Sequence, residues 1–530
     1  MLPEKPPTQR SESSRLRARV QASQHAPQRY MRPTVIMATL TAAASLSKPR
    51  VLGVTGGIAM GKSTTVKLLS DVYRIPFHDA DQCVRRLYAK GGACVAPVAA
   101  VFGDVITDGA IDRAKLGATL TGLPDVERKA AFQTLEGIVH PLVRDDRERF
   151  VKDQHCWLVG VDIPLLFETG DKESLGIDHT LVVTCGSEEQ KRRALKREGM
   201  TPEKLDVILE RQLEDAARVA RADFTVDTAC YDKARARGQT AAVVEQLWGT
   251  SPTETAPCRA VSFDLDNTLW PTWPPIAEAK DALPSLIREH LPEVLETFGE
   301  GDAAILEGLA AFEKNRDKHG WLSGLEADVR HDITARRRVV YRQLAETYGA
   351  SVEKGDALAV AYAEVRSQAT DAHLDKDALA CVATLRAAGI ETVGALTNGN
   401  AHATGRLGDV LDFWLTAGDV GAAKPRTPPF VAACVQAKCA PAELVHVGDS
   451  VTDDVLGALD FGARAIHVRK YDDDATRVAA GAAFKQLPDP SRAAAAADVE
   501  KRLEAYGPDR FARVGSLADV PGVVARWRLV

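Results

Sequence analysis

From Val51 the chain reads Val–Leu–Gly–Val–Thr–Gly–Gly–Ile–Ala–Met–Gly–Lys–Ser–Thr64, which sets Gly56, Gly61, Lys62 and Ser63 in the order G-x-x-x-x-G-K-[ST]. The chemistry this spacing serves is the binding of a phosphate chain. Gly56, Gly57 and Gly61 let backbone N–H groups turn inward around phosphate oxygens. Lys62 can neutralise the outer phosphates, and Ser63 can offer a hydroxyl to Mg²⁺. A helix opening at Lys62–Ser63–Thr64 points its positive end at the same anion. An apolar strand precedes the loop and a helical pattern follows it, as such a loop requires. Next comes Asp79–Ala–Asp81, at the point where a second strand should end. A carboxylate there can orient or deprotonate a hydroxyl; it can equally cap a helix.

A second group of residues begins at Arg259–Ala–Val–Ser–Phe–Asp–Leu–Asp–Asn–Thr–Leu269, an apolar strand ending in D-x-D-x-T. Asp264 and Asp266 are two apart and so project the same way from the strand's end. One can attack phosphorus while the other protonates the leaving oxygen and later activates water. Thr397–Asn–Gly–Asn400 follows another strand and supplies a hydroxyl and backbone donors. Lys424–Pro425 can neutralise clustered acids. Gly448–Asp–Ser–Val–Thr–Asp–Asp454 places Asp449 and Asp454 to join Asp264 and Asp266 around Mg²⁺.

Further residues line up in order behind the phosphate loop. They are Phe102–Gly103, Asp112–Arg113 with Leu116–Gly117, His140–Pro141, and Asp162–Ile–Pro–Leu–Leu–Phe–Glu168. Gln190–Lys–Arg–Arg193 with Arg197, then Gln212, Ala222–Asp223 and Val226–Asp227 complete the set. Residues 50–248 thereby resemble dephospho-coenzyme A kinase. The resemblance implies that Lys62 and Ser63 bind ATP and Mg²⁺ and that Asp81 is the general base on the ribose 3′-hydroxyl of dephospho-coenzyme A. It also implies that Arg193 and Arg197 belong to a lid over the transferring phosphoryl group, and that Asp112, Arg113 and His140 shape the acceptor site. Thr228 stands where the family often has Asn, a residue more tolerant of a left-handed turn.

The four later stations resemble the haloacid dehalogenase superfamily over residues 259–530. The paired Asp264 and Asp266 indicate its phosphatase branch, with Thr397 and Lys424 completing the catalytic set. About 130 residues separate the first two stations, room for a helical cap over about 270–385. Arg330–His–Asp–Ile–Thr–Ala–Arg336, Leu396–Thr–Asn–Gly–Asn–Ala401, Leu407–Gly–Asp409 and Ala417–Gly418 resemble phosphatases of flavin mononucleotide and of the ribityl-phosphate precursor of riboflavin. Arg336 or Arg337 could then reach the substrate phosphate or a ribityl hydroxyl, or else lie on a solvated cap helix; Trp270 and Trp273 could stack on a flat ring, or else pack cap against core.

The elements that must position these residues follow from periodicity. Strands are expected at Val51–Val54, Leu158–Asp162 and Thr180–Thr184, then near Thr392–Leu396, Leu444–Val447 and Ala465–Val468, with helices between them. The predicted fold class is α/β: a P-loop NTPase-type parallel sheet, then a Rossmann-like haloacid dehalogenase core with a helical cap. Residues 249–258 form a Pro/Thr/Ser-rich linker, and 471–512 read as a helical or irregular insertion. Residues 1–49 hold eight Lys or Arg against two Glu, the composition of an organelle transit peptide or a disordered leader. The expected location is thus cytoplasmic, or a mitochondrion or plastid. The net charge of −6 and the absence of a basic block past the leader give nucleic acid no footprint. No apolar run is long enough to span a membrane. Nine scattered cysteines, with no C-x-x-C pair, point to reduced thiols. The reading is a bifunctional enzyme acting on ATP, dephospho-coenzyme A and a phosphomonoester. The competing readings are a kinase with a non-catalytic regulatory second half, or a sugar-phosphate phosphatase.

Overall fold

The protein is described by a computed structural model over residues 49–170, 172–210, 212–229, 234–248, 256–315, 332–469 and 490–528. The leader up to residue 48, most of the linker, and Arg330 and His331 of the cap motif lie outside these residues.

Five strands form the first sheet: β1 (Arg50–Thr55), β2 (Phe77–Asp79), β3 (Leu158–Asp162), β4 (His179–Thr184) and β5 (Phe224–Asp227). They run parallel in the order β2-β3-β1-β4-β5. β1, β3 and β4 are near-continuous apolar runs, as strands covered on both faces must be. The register is what matters for chemistry. Asp79 and Val54 both pair with Asp162, so the carboxyl ends of β2, β3 and β1 lie side by side. Helix α1 (Lys62–Tyr73) leaves β1 through the phosphate loop, and α2 (Ala80–Tyr88) leaves β2. The 28-residue α3 (Asp125–Lys152), α4 (Ser187–Leu195) and α5 (Ala234–Trp248) complete this half.

The second sheet holds β6 (Ala260–Phe263), β7 (Thr392–Thr397), β8 (Phe413–Thr416), β9 (Leu444–Gly448), β10 (Arg464–Val468) and β11 (Phe511–Val514). The order is β8-β7-β6-β9-β10-β11, again all parallel. β8 and β11 were not foreseen. Each is four residues long and sits at a sheet edge. Within the tract 471–512, read as a helical or irregular insertion, the described residues form the helix Pro490–Tyr506, and β11 begins at its end.

Between β6 and β7 stand helices Trp273–Asp281, Leu283–His290, Asp302–Asn315, α6 (Ile333–Thr347) and α7 (Val352–Ala372). Their own core holds Ile287, Leu309, Tyr341, Leu344 and Leu358. The cap is therefore shorter than the 270–385 expected. α8 (Ala378–Ala387) buries Cys381, Val382 and Leu385 with Phe263 and Val393 of the sheet. Trp270 is likewise buried in that core.

The two sheets share one hydrophobic core. Leu69, Tyr73, Val243 and Leu247 of the first half cluster with Val420, Phe430, Val431 and Cys434 of the second. Helices α9 (Ala417–Val420) and α10 (Thr427–Ala437) carry the second half's share. Trp248 packs edge-on against Trp157 at 4.9 Å and stacks on Phe461 at 5.8 Å. Polar contacts fix the register of this seam. The Tyr73 hydroxyl donates to the Val420 carbonyl at 2.8 Å. The Gln436 amide donates to the carbonyls of Asp71 and Val72 at the end of α1. Arg426 pairs with Glu245 at 2.6 Å. No described helix is long and apolar enough to cross a membrane, and the described cysteines are free thiols.

Candidate active sites

The first site gathers at the carboxyl ends of β1, β2 and β3. Gly61 has φ +94°, a conformation that a side chain would strain, and it lets the chain turn into α1. The loop is held from behind. Gln190 donates to the Ile58 carbonyl, and Gln212 accepts from the Ile58 N–H. The Thr228 hydroxyl donates to the Met60 carbonyl at 2.7 Å. Among the described residues Thr228 is not one of those with positive φ, so Thr in place of Asn costs no left-handed strain. Lys62 pairs with Asp162. Burial raises the Asp162 carboxyl, Lys62 opposes this, and the nearby Asp79 and Asp81 add to it. Asp162, beside Lys62 and near the charges of Asp79 and Asp81, offers the kind of carboxylate oxygen that Mg²⁺ takes.

The two acids of Asp79–Ala–Asp81 take different positions. Asp79 is the N-cap of α2 and accepts from the Gln82 N–H at 2.9 Å. Asp81, two residues further, is exposed and lines a cavity of about 860 Å³ together with Gly56, Gly57, Gly61, Lys62, Ser63, Thr64, Arg193 and Arg197. One acid is structural and the other faces the phosphate loop. Arg193 bonds Glu189 and both oxygens of Thr228. Asp112, expected at the acceptor site, is used as a helix cap on Ala114 and Lys115. Arg113 stacks on Tyr88 at 5.6 Å, and His140 is exposed.

The second site lies at the carboxyl ends of β6, β7 and β9. Lys424 Nζ lies 2.7 Å from Asp264 Oδ1 and 2.6 Å from Asp454 Oδ1. Asp264, Asp449 and Asp454 bring one carboxylate oxygen each within 4.8 Å of one another. Asp454 sits on the π-helical segment Val451–Leu456, a widened turn of the kind found at functional sites. Burial raises Asp264 well above the carboxylate range although Lys424 opposes it. Burial, reinforced by Asp454, pushes Asp449 up to about 7. At Asp454 burial is outweighed by Lys424 and the His446 hydrogen bond, which hold it below the usual range. Three acids against one buried ammonium again fit a divalent cation with oxygen ligands.

Asp266 departs from the expected metal set. Its carboxylate turns to Arg366 of α7, at 2.9 and 3.0 Å, and to Trp270 Nε1 at 3.0 Å. Thr397 Oγ1 accepts from the Gly399 N–H at 2.9 Å, and Asn398 clasps the backbone of Lys424 at 2.7 and 2.9 Å. Trp270 is 1% exposed and cannot stack on a ligand, whereas Trp273 is 47% exposed. Arg337 lies over Tyr362 at 4.1 Å, within the cap.

Several site residues escaped the sequence reading. Within Asp162–Ile–Pro–Leu–Leu–Phe–Glu168 nothing in the sequence singles out Asp162. Arg218 is 2% exposed beneath the phosphate loop with its Nε and Nη1 unpartnered; no local pattern marks it. His446, paired in register with Ser262, has Nδ1 2.8 Å from the Ser262 hydroxyl and Nε2 3.1 Å from Asp454. Burial, then Lys424, lowers its basicity. Arg366 had a signal: it falls in the buried stripe Leu358, Tyr362, Arg366, Thr370, where a lone charge needs a partner.

Residues 50–231 match the family model of dephospho-CoA kinase, and residues 258–462 match that of haloacid dehalogenase-like hydrolase. The dephospho-CoA kinase of Mesorhizobium japonicum is 42% identical over 202 residues, 38% of this chain and 97% of that protein. That of Jannaschia sp. is 45% identical over 186 residues, 35% of this chain and 91% of its own length. Among solved structures, a 2-haloacid dehalogenase from Pseudomonas syringae is 29% identical, with a TM-score of 0.36, covering 51% of this chain and 99% of its own.

Proposed function

The chain belongs to the dephospho-CoA kinase family through its first half and carries a haloacid dehalogenase-like hydrolase domain as its second, and from that premise we propose two reactions. The first is transfer of the γ-phosphoryl group of ATP to the 3′-hydroxyl of dephospho-coenzyme A. The second is hydrolysis of a phosphomonoester through an aspartyl-phosphate.

The observation that carries the kinase reading is Asp81 facing the cavity that holds the phosphate loop, freed for chemistry because Asp79 caps the helix. Asp81 takes the proton of the attacking hydroxyl. Lys62 and the loop N–H groups hold the phosphates, and Arg193 and Arg197 offset charge on the transferring group. Ser63 and Asp162 would hold Mg²⁺, which when bound neutralises phosphate oxygens. The test is formation of coenzyme A from dephospho-coenzyme A by the purified chain with ATP and Mg²⁺. Much faster phosphorylation of adenosine or another nucleoside would overturn the acceptor assignment.

The hydrolase reading rests on the Asp264–Lys424–Asp454 cluster. Asp264 attacks phosphorus, the ester P–O bond breaks, and Asp266 gives its proton to the leaving oxygen. Asp266 then takes a proton from water, whose oxygen displaces Asp264 and releases phosphate. Asp264, Asp449 and Asp454 would hold the cation. Turnover of a generic aryl phosphate separates this from a regulatory, non-catalytic domain. For the substrate we propose a flavin or ribityl phosphate, supported by the cap and second-station residues and by exposed Trp273. A preference of about tenfold or more in kcat/KM for a hexose or pentose phosphate would sink that choice. For the leader we propose a targeting role. A fluorescent fusion of residues 1–49 that stays diffuse in the cytosol would reject it.

A further inference from the structure

We infer that the hydrolase domain completes the kinase domain's donor-nucleotide pocket, with the Asp419 carboxylate reading the nucleoside. The inference rests on the kinase reading and adds a residue from outside the kinase domain. The cavity lined by the phosphate loop also takes in Lys67, Leu68, Asp71 and Val72 of α1, Ala236 and Arg237 of α5, and Asp419 of α9. It therefore runs the length of α1. At 1.5 Å per residue, Asp71 lies roughly 13 Å beyond Lys62, so the phosphates at the first turn leave the last turns for the nucleoside.

Asp419 stands at that far end. Its neighbour Val420 accepts from the hydroxyl of Tyr73, the last residue of α1. Burial raises the Tyr73 phenol, which stays a donor. The segment is pressed home on the α5 side too. A Cβ on Gly421 would lie 2.1 Å from the Arg237 carbonyl, so only glycine allows α9 to lie against α5 at this point. Asp419 itself is half-buried. Its Oδ2 accepts from the Thr416 N–H and hydroxyl in a capping box, at 3.0 and 2.7 Å. The carboxylate is thus aimed by its own helix. An acceptor-only group would repel phosphate and suits ribose hydroxyls or an exocyclic amine.

The test is equilibrium binding of ATP and of inorganic tripolyphosphate to the full chain by titration calorimetry, for the wild type and for Asp419→Ala and Asp419→Asn. Asn keeps an oxygen for the capping box, so it guards against loss of fold in the Ala variant. The expected result is that both variants bind ATP about tenfold more weakly, roughly 1.4 kcal/mol, and bind tripolyphosphate at least as well as the wild type. ATP binding unchanged in both variants would overturn the inference. So would equal weakening of ATP and tripolyphosphate, which would mark Asp419 as a purely structural residue. A wild type that binds ATP yet leaves dephospho-coenzyme A unphosphorylated would sink the acceptor assignment and leave the Asp419 comparison standing.

Discussion

At the scale of single residues, the two sites place opposite demands on their carboxylates. Asp81 is left free where Asp79 is spent, so Asp81→Asn should spare ATP binding and cripple transfer. Lys62→Ala should cost on the order of 10²-fold in rate, read as coenzyme A formed per minute. In the hydrolase, Asp264→Asn should abolish phosphate release and leave the kinase rate within about twofold, as for distant sites. Asp449 supplies a pH signature. Held up to about 7 by burial, it takes up a proton in the folded metal-free protein that the unfolded chain, with an ordinary carboxyl near 3.9, has lost. Its contribution to stability is full below about pH 4 and disappears as pH rises through about 7. A cation binds the ionised form, so Mg²⁺ should raise Tm more at pH 8 than at pH 5, against an EDTA control. Equal shifts at the two values would exclude Asp449 from the cation site. Arg366 ties the cap to Asp266 through a pair that is 5% and 19% exposed. Arg366→Met leaves that carboxylate one donor and should cost about 3 kcal/mol in urea unfolding, with phosphatase kcat lowered and kinase kcat unchanged.

At the scale of elements, what was legible depended on whether the signal was local. The phosphate loop and the D-x-D strand end could be read because strand, turn and helix follow within a dozen residues. β8 and β11 could not, because each is a four-residue edge strand whose identity comes from its neighbour. The cap boundary slipped because α8 looks like any apolar helix until Cys381 and Leu385 are seen against the sheet. Trp270 was open between ring stacking and packing for the same reason: its sequence neighbours are catalytic, but its indole faces the core. Asp162, His446 and Arg218 owe their roles to register and packing across strands, and no spacing rule reports that. The end of α1 gives an element-scale test. Its last carbonyls are satisfied by Gln436 from the other half, so Gln436→Ala should lower stability by about 1 kcal/mol. The urea midpoint should fall at constant m; an unchanged midpoint would show that water replaces the amide at no cost.

At the scale of the whole molecule, the composition of residues 249–258 suggests two halves free of each other, yet their cores are continuous. The protein should unfold in one cooperative transition, and a chain cut by a protease site engineered into residues 249–255 should still elute as one species. Two separate peaks would show that the seam does not hold by itself. The shared core also has a consequence during synthesis. The ribosome finishes Trp248 long before it reaches Ala437, with roughly 190 residues between them. At about 5–20 residues per second that gap lasts roughly 10–40 s. For all of it the nascent first domain carries Tyr73, Leu247 and Trp248 uncovered, a bare apolar face awaiting its own downstream chain. That interval, not the finished fold, is when this protein has most need of a chaperone.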